Sequence, residues 1–332
     1  MPEGHTLHRL AQALDGAFAG TTPDLSSPQG RFSEGAALLD GRAVVEASAW
    51  GKHLFVEFTG ERWLGVHLGL IGKFSVEPYD RYAGVPPVRG QVRLRLLTSE
   101  HVADLRGAII CAALLPAEVD AVVARLGPDP LRAEQDPDQA WTRLSRSGRS
   151  VAELLMDQSI LAGVGNVYRC EVLFRHRVDP FRPGKEIRKE TWELIWADLV
   201  RLMPLGVAFN QIITMQDQVE QATARVAEGQ VPVMTSVHTD SARRPGPVDR
   251  DADPADRDGD PADRDGDPAD RAEEAADGLD LPRMPPRPAR MRRRYYVYRR
   301  QGESCVVCGS TVRTRVVAGR NLFWCGRCQR RR

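Results

Sequence analysis

Four of the six cysteines stand as Cys305-x2-Cys308 and Cys325-x2-Cys328, with sixteen residues between the pairs. This spacing constrains the C-terminal fold more tightly than any other feature. Each C-x-x-C turn offers two thiolates to one ion, and a hairpin must return the chain to complete the set. Four soft ligands leave no open coordination position, so one structural Zn2+ is expected. A hairpin this small has too little core to fold without its metal. Disulfide pairing is the poorer reading, because the chain shows no secretory signal and reads as cytoplasmic. Cys111 and Cys170 stand alone in apolar surroundings and are expected in the core.

The metal-bearing end is also where the charge lies. The whole chain has 46 Lys+Arg against 45 Asp+Glu, a net charge of +1. That near-zero value averages unlike parts. Residues 1–239 hold 25 basic and 29 acidic residues, 240–282 hold 6 and 15, and 283–332 hold 15 and 1. A tail of net charge +14 is an electrostatic footprint for a polyanion, and nucleic acid is the expected partner. No apolar run approaches the roughly 18 residues of a membrane span, so no membrane partner is expected.

Periodicity divides the remainder. A short helix is expected from about Thr6 to Phe18. Within 42–115, Val92, Leu94 and Leu96 alternate with Arg93 and Arg95, and Leu54, Val56 and Phe58 alternate with Phe55 and Glu57. That period of two marks half-buried strands, and glycines punctuate the run. From Pro116 the period lengthens. Val119, Val122, Val123 and Leu126 share one helix face, and so do Trp192, Ile195, Trp196 and Leu199. Ser150 and Glu153 form a capping box, and Asn166 is placed to cap a helix carrying Val167, Cys170 and Phe174.

These patterns give an α+β multidomain chain. Residues 1–115 form an N-terminal β-sandwich or barrel with a leading helix, the sandwich being taken as the fold, 116–239 a helical domain, and 291–332 the zinc hairpin. Between the last two, the heptad Asp253-Pro-Ala-Asp-Arg-Asp-Gly259 repeats at 260–266 and in part at 267–271. It is acidic, rich in proline and almost free of large apolar residues, so 240–290 reads as a disordered linker.

The N-terminus holds a candidate nucleophile. Proline after Met1 permits removal of the initiator, leaving Pro2 with a free secondary amine. An α-amino group has a pKa of about 7.7–8.0, so part of it is neutral at physiological pH and able to attack a sugar C1′. Glu3 beside it is a candidate proton shuttle.

Taken together, Met1-Pro2-Glu3-Gly4, Gly51-Lys52-His53-Leu54, His67-Leu68-Gly69-Leu70-Ile71-Gly72, Arg125-Leu126-Gly127-Pro128-Asp129, Gly163-Val164-Gly165-Asn166-Val167-Tyr168 and the zinc hairpin with Arg320 resemble the formamidopyrimidine-DNA glycosylase / endonuclease VIII family. The opening looks closest to an actinobacterial endonuclease VIII-like branch. The resemblance covers nearly all of the chain outside 240–290. It implies a helix–two-turns–helix DNA-binding domain over 116–239. It also implies a catalytic role for Pro2 (nucleophile and Schiff base), Glu3 (acid/base), Lys52 (phosphate and β-elimination) and Arg320 (phosphate and δ-elimination). Asn166 and Arg125 match DNA contacts. Leu70 and Ile71 match an intercalating loop, and Arg106 a contact to the orphaned base.

The resemblance therefore predicts a bifunctional DNA glycosylase and AP lyase of base excision repair. It would act as a monomer on damaged double-stranded DNA in the bacterial cytoplasm and nucleoid, removing oxidised bases, with pyrimidines favoured. The competing reading is a non-enzymatic, zinc-dependent DNA-binding protein. Two departures from the family pattern stand out. His5 and Thr6 replace the family's Pro-Glu, and His5 reads equally as a polar partner for the missing carboxylate or as a packed or surface residue. Gly69-Leu70-Ile71 replaces Gln-Leu-Tyr, removing a hydrogen-bonding side chain and an aromatic ring from the wedge.

Overall fold

The structure, a computed structural model, describes residues 2–232 and 291–330. The expected linker at 240–290 lies outside the described residues. Helix α1 (Gly4–Phe18) places Leu7, Leu10, Leu14 and Phe18 on one buried stripe. Eight strands follow in the N-terminal half: β1 (Asp24–Ser26), β2 (Val44–Trp50), β3 (His53–Phe58), β4 (Arg62–His67), β5 (Lys73–Pro78), β6 (Val92–Leu97), β7 (His101–Arg106) and β8 (Ile110–Leu114), with α2 (Ser33–Leu39) after β1.

They form two antiparallel sheets, ordered β1-β6-β7-β5 and β2-β3-β4-β8. Apolar residues of both sheets and of α1 make one core, which is the expected sandwich with its leading helix. Val92, Leu94 and Leu96 are buried as their alternation predicts. Phe55 is buried as well, its ring stacked on His53.

The chain crosses between the sheets at β1–β2, β4–β5 and β7–β8, and the last two crossings meet at one corner. A Cβ on Gly69 would lie 2.7 Å from Ile109 Cγ2, and one on Gly107 would lie 3.5 Å from the Ile71 carbonyl oxygen. Both glycines have positive φ, which the tight turns require. The corner leaves Leu70 46% and Ile71 66% exposed, with Ile109 exposed beside them.

The second half is helical: α3 (Pro116–Val123), α4 (Pro137–Leu144), α5 (Val151–Leu154), α6 (Asn166–Arg175), α7 (Lys189–Phe209) and α8 (Gln216–Ala227). The capping box of Ser150 and Glu153 forms as the sequence predicts, and Trp192, Ile195 and Leu199 are buried along α7. The expected stripe through Leu126 is cut short. Helix α3 ends at Val123 and buries only Val119, because the chain must turn there to bring Gly127 under the Ile160 carbonyl, where a Cβ would lie 2.2 Å from the oxygen.

Strands β9 (Val312–Val317) and β10 (Arg320–Cys325) form the C-terminal hairpin, with Leu322, Phe323 and Cys325 in the same apolar core as α6 and α7. The segment leading into it is held by one buried carboxylate. Glu171 accepts the backbone N–H groups of Tyr296, Val297 and Tyr298 at 2.8–3.0 Å and the Thr214 hydroxyl at 2.7 Å. Glu171→Gln places an amide donor among those donors. Unfolding free energy should fall by about 2–4 kcal/mol, read as a lower urea midpoint; an unchanged midpoint would remove Glu171 as the anchor.

Candidate active site

Helix α6 starts from the loop Gly163-Val164-Gly165 without a polar cap of its own. Its N-cap is Gly165, which has no side chain to offer. The orphan N–H groups are met from the other end of the sequence. Glu3 accepts from Val167 N (2.8 Å), Gly165 N (2.9 Å) and Tyr168 N (3.4 Å), and is 0% exposed. A carboxylate at a helix N-terminus also meets the positive end of the macrodipole. The fit leaves no room for a larger residue at 165, where a Cβ would lie 2.4 Å from Glu3 Cδ. Next to it, Gly4 N donates to the Gly163 carbonyl at 2.8 Å, and a Cβ on Gly4 would lie 2.7 Å from Gly163 Cα. Buried Pro2 immediately precedes this contact.

Asn166 is therefore not the N-cap that its position in the sequence predicts. It is the first helical residue, and its amide turns outward. Nδ2 donates to the Asn321 carbonyl of β10 at 2.9 Å, and Oδ1 accepts from Arg169. The amide thus joins α6 to the zinc hairpin.

Lys52 arrives from the β2–β3 hairpin, a two-residue turn in which Gly51 has positive φ. Its ammonium donates to the Val164 carbonyl at 2.7 Å. Asp129 holds the turn from beneath, accepting Gly51 N at 2.7 Å and lying 2.8 Å from His8 Nε2 of α1. Burial pushes the Lys52 ammonium down to about 8; Glu3 opposes that shift, and Arg320 and Arg169 add to it. Burial also raises the Glu3 carboxyl above its ordinary value, against the pull of Lys52 and the backbone donors. Arg320 stands at the start of β10, half-buried. Glu3, Lys52, Asn166 and Arg320 thus converge around the first turn of α6.

The other predicted residues lie apart from this group. Arg125 is exposed just beyond α3, its guanidinium bonded to the Ala121 carbonyl at 3.0 Å and close enough to His53 to help lower that ring. Arg106 is tied into β7 through Asp104 at 2.8 Å, which also holds Arg95. Leu70 and Ile71 occupy the exposed sandwich corner. His5 is buried against Tyr168, and burial pushes its imidazole down to about 3. It packs as a neutral ring, which favours the second of its two readings.

Three participants carry no sequence expectation. Asp129 lies in a quoted motif but has no local reason to reach Gly51. His67 stacks edge-on against His53 across the β3–β4 pair, and alternation alone gives it no function. Arg169 is a charged residue inside an apolar helix, which was the available signal.

The sulfurs of Cys305, Cys308, Cys325 and Cys328 all lie within 4.8 Å of one another, with Cys305–Cys328 at 3.9 Å and Cys308–Cys325 at 3.4 Å. Zinc–sulfur bonds of about 2.3 Å in a tetrahedron place sulfurs about 3.8 Å apart. The donor set fits one structural Zn2+. Cys170 is buried as expected, its sulfur accepting Phe323 N of β10 at 3.4 Å, whereas Cys111 is only half-buried. Among the described residues no helix is long and apolar enough to cross a membrane.

Residues 1–108 match the formamidopyrimidine-DNA glycosylase N-terminal domain, 126–218 the formamidopyrimidine-DNA glycosylase H2TH domain, and 302–331 the zinc finger found in FPG and IleRS. Endonuclease 8 1 of Mycobacterium tuberculosis is 41% identical over 331 residues, covering 99% of this chain and 100% of the relative. Formamidopyrimidine-DNA glycosylase of Thermus thermophilus is 28% identical over 300 residues, covering 88% and 85%. The solved complex of Lactococcus lactis Fpg with DNA containing an abasic site shares the fold, with a TM-score of 0.67 at 16% identity over 99% of this chain and 100% of that one. The chain belongs to the formamidopyrimidine-DNA glycosylase / endonuclease VIII family.

Proposed function

We propose that this chain is a bifunctional DNA glycosylase and AP lyase of base excision repair, acting as a cytoplasmic monomer on oxidised bases in double-stranded DNA, pyrimidines above all. The observation that carries the reading is the meeting of Glu3 and Lys52 at the N-terminus of α6, beside Pro2. The division of labour follows the three parts of the chain. Residues 1–115 carry the chemistry, 116–239 and 291–332 grip DNA, and 240–290 contribute none of the reacting groups.

A base inside the duplex cannot reach Pro2, so the nucleotide must leave the stack, at a cost of a few kcal/mol. Leu70 and Ile71 are apolar and exposed at a tight corner, a form suited to filling the vacated space. Arg106 lies on β7, which leads into that corner, and would face the orphaned base. Arg125, exposed past α3, would add a contact to the DNA backbone.

With Met1 removed, the Pro2 nitrogen attacks C1′ as the glycosidic bond breaks, and the base departs with that electron pair and a proton. Glu3 supplies protonation at the sugar, and its raised pKa keeps a proton available at higher pH than an exposed carboxyl would. As the C1′–O4′ bond breaks and O4′ takes that proton, the Pro2 nitrogen lone pair forms an iminium to C1′, which acidifies C2′. Loss of that proton expels the 3′-phosphate, and a second elimination expels the 5′-phosphate. Lys52, Asn166 and Arg320 bind the departing phosphates. Zinc acts only by holding the β9–β10 hairpin, and with it Arg320, in place.

Borohydride reduction with abasic DNA should trap a covalent adduct on protein whose Met1 has been removed and none on protein with an extended N-terminus. Equal trapping of both would refute Pro2 as nucleophile. Gly165→Ala displaces the Glu3 carboxylate and should reduce base excision at least tenfold, measured by single-turnover cleavage. Affinity for abasic duplex should fall as pH rises past about 8, because Lys52 is then neutral in the free protein and binding must take up a proton. Lys52→Arg should move that fall above pH 9; an unshifted profile would exclude Lys52 as its source.

A further inference from the structure

Arg169 lies on α6 one turn beyond Asn166 and is 0% exposed. A buried guanidinium cannot shed its proton to escape burial, so it normally has a carboxylate beside it. None of the ion pairs among the described residues includes Arg169. Its Nη2 donates to Asn166 Oδ1. Its Nη1 reaches the carbonyls of Ala152 and Val317 only at 3.4 and 3.5 Å, long for such bonds, and its Nε has no partner.

The surroundings deepen the imbalance. Lys52, Arg169 and Arg320 interact electrostatically with one another beside Glu3, which is already committed to the backbone of α6, and Arg169 also feels Glu153 and the Cys170 sulfur without forming an ion pair with either. Three cations are thus gathered where no carboxylate among the described residues pairs directly with Arg169. The two contacts of Arg169 other than the one to α5 point the same way. One fixes the orientation of the Asn166 amide, and the other touches the end of β9, next to the turn that leads into Arg320.

We propose that Arg169 is a positioning residue for the DNA phosphate. Its planar fork sets the Asn166 amide and the hairpin end carrying Arg320, and its buried charge gains a further counter-charge when a phosphodiester occupies the space they surround. It touches no reacting atom. The inference rests on the DNA-processing function proposed above, and it makes a fully buried side chain part of phosphate recognition.

The test uses full-length, zinc-loaded protein and a duplex containing a tetrahydrofuran abasic analogue, which is bound but not cleaved. Arg169→Met should weaken binding tenfold or more and make the dependence of log affinity on log salt shallower by about one. Arg169→Lys keeps the charge without the fork. It should retain the wild-type salt dependence while still losing affinity. Asn166→Ala combined with Arg169→Met should bind no worse than Arg169→Met alone, because the two act as one unit.

A purely structural arginine gives a different pattern. Arg169→Met would melt earlier while its folded fraction bound DNA with wild-type affinity and salt dependence, and that result overturns the proposal. Additive losses in the double variant overturn it as well. Should Arg169→Met not fold, the comparison of Arg169→Lys with Asn166→Ala decides, since equal affinity of Arg169→Lys and wild type would refute the need for the fork. Borohydride trapping of wild-type protein runs in parallel. Its failure would remove the lyase reading and leave the binding result on Arg169 standing.

Discussion

The carboxylate of Glu3 lies across the first turn of α6 and takes three peptide N–H groups that the helix cannot satisfy itself. The α6 terminus otherwise begins in two glycines and a valine, none of which can cap it. Without Glu3 it would present buried, unpaired donors. Without those donors, Glu3 would be a buried charge with no hydrogen bond to the helix backbone, opposed only by nearby cations such as Lys52. Each makes the other's burial tolerable. The placement of Pro2, the packing of Gly4 on Gly163 and the approach of Lys52 to Val164 all depend on this junction.

Helix α6 acts as the hub of the molecule through its polar residues more than its apolar ones. At its start it receives Glu3 from the sandwich. Through Asn166 it reaches β10, through Cys170 it meets Phe323, and through Glu171 it grips the segment 296–298. Burial raises both Glu3 and Glu171, yet each is surrounded by donors suited to the ionised form. The zinc hairpin has little core of its own. Its order derives from the metal at one end and from the core and polar contacts of α6 at the other.

Local patterns were legible where the structure is decided locally. The alternation at Val92, Leu94 and Leu96, the Ser150–Glu153 box and the four cysteines each depend on neighbours within a few residues or on one metal. The reading weakened where a partner lies far along the chain. Asn166 has the residue type and position of an N-cap, but a carboxylate 163 residues upstream takes that role and releases its amide for β10. Val122, Val123 and Leu126 keep a helical period, yet the helix stops because Gly127 must pass under a backbone carbonyl. Asp129 beneath Gly51 was invisible for the same reason: no spacing rule links a turn to an aspartate 78 residues away. Glu3 and Lys52 were picked out by resemblance, and only their geometry gives a physical account of why they share a site.

The grip of Glu171 has a consequence for how this protein tolerates sequence change. Besides the Thr214 hydroxyl, its oxygens meet peptide N–H groups at 296, 297 and 298, and every residue except proline carries that group. As far as this anchor is concerned, side chains there are free to drift under the demands of core packing, and proline alone is barred. The same logic applies to Glu3 at positions 167 and 168. These two joints are thus written in the backbone of the segments they hold. They leave the surrounding side chains open to selection for other ends while the assembly itself stays fixed.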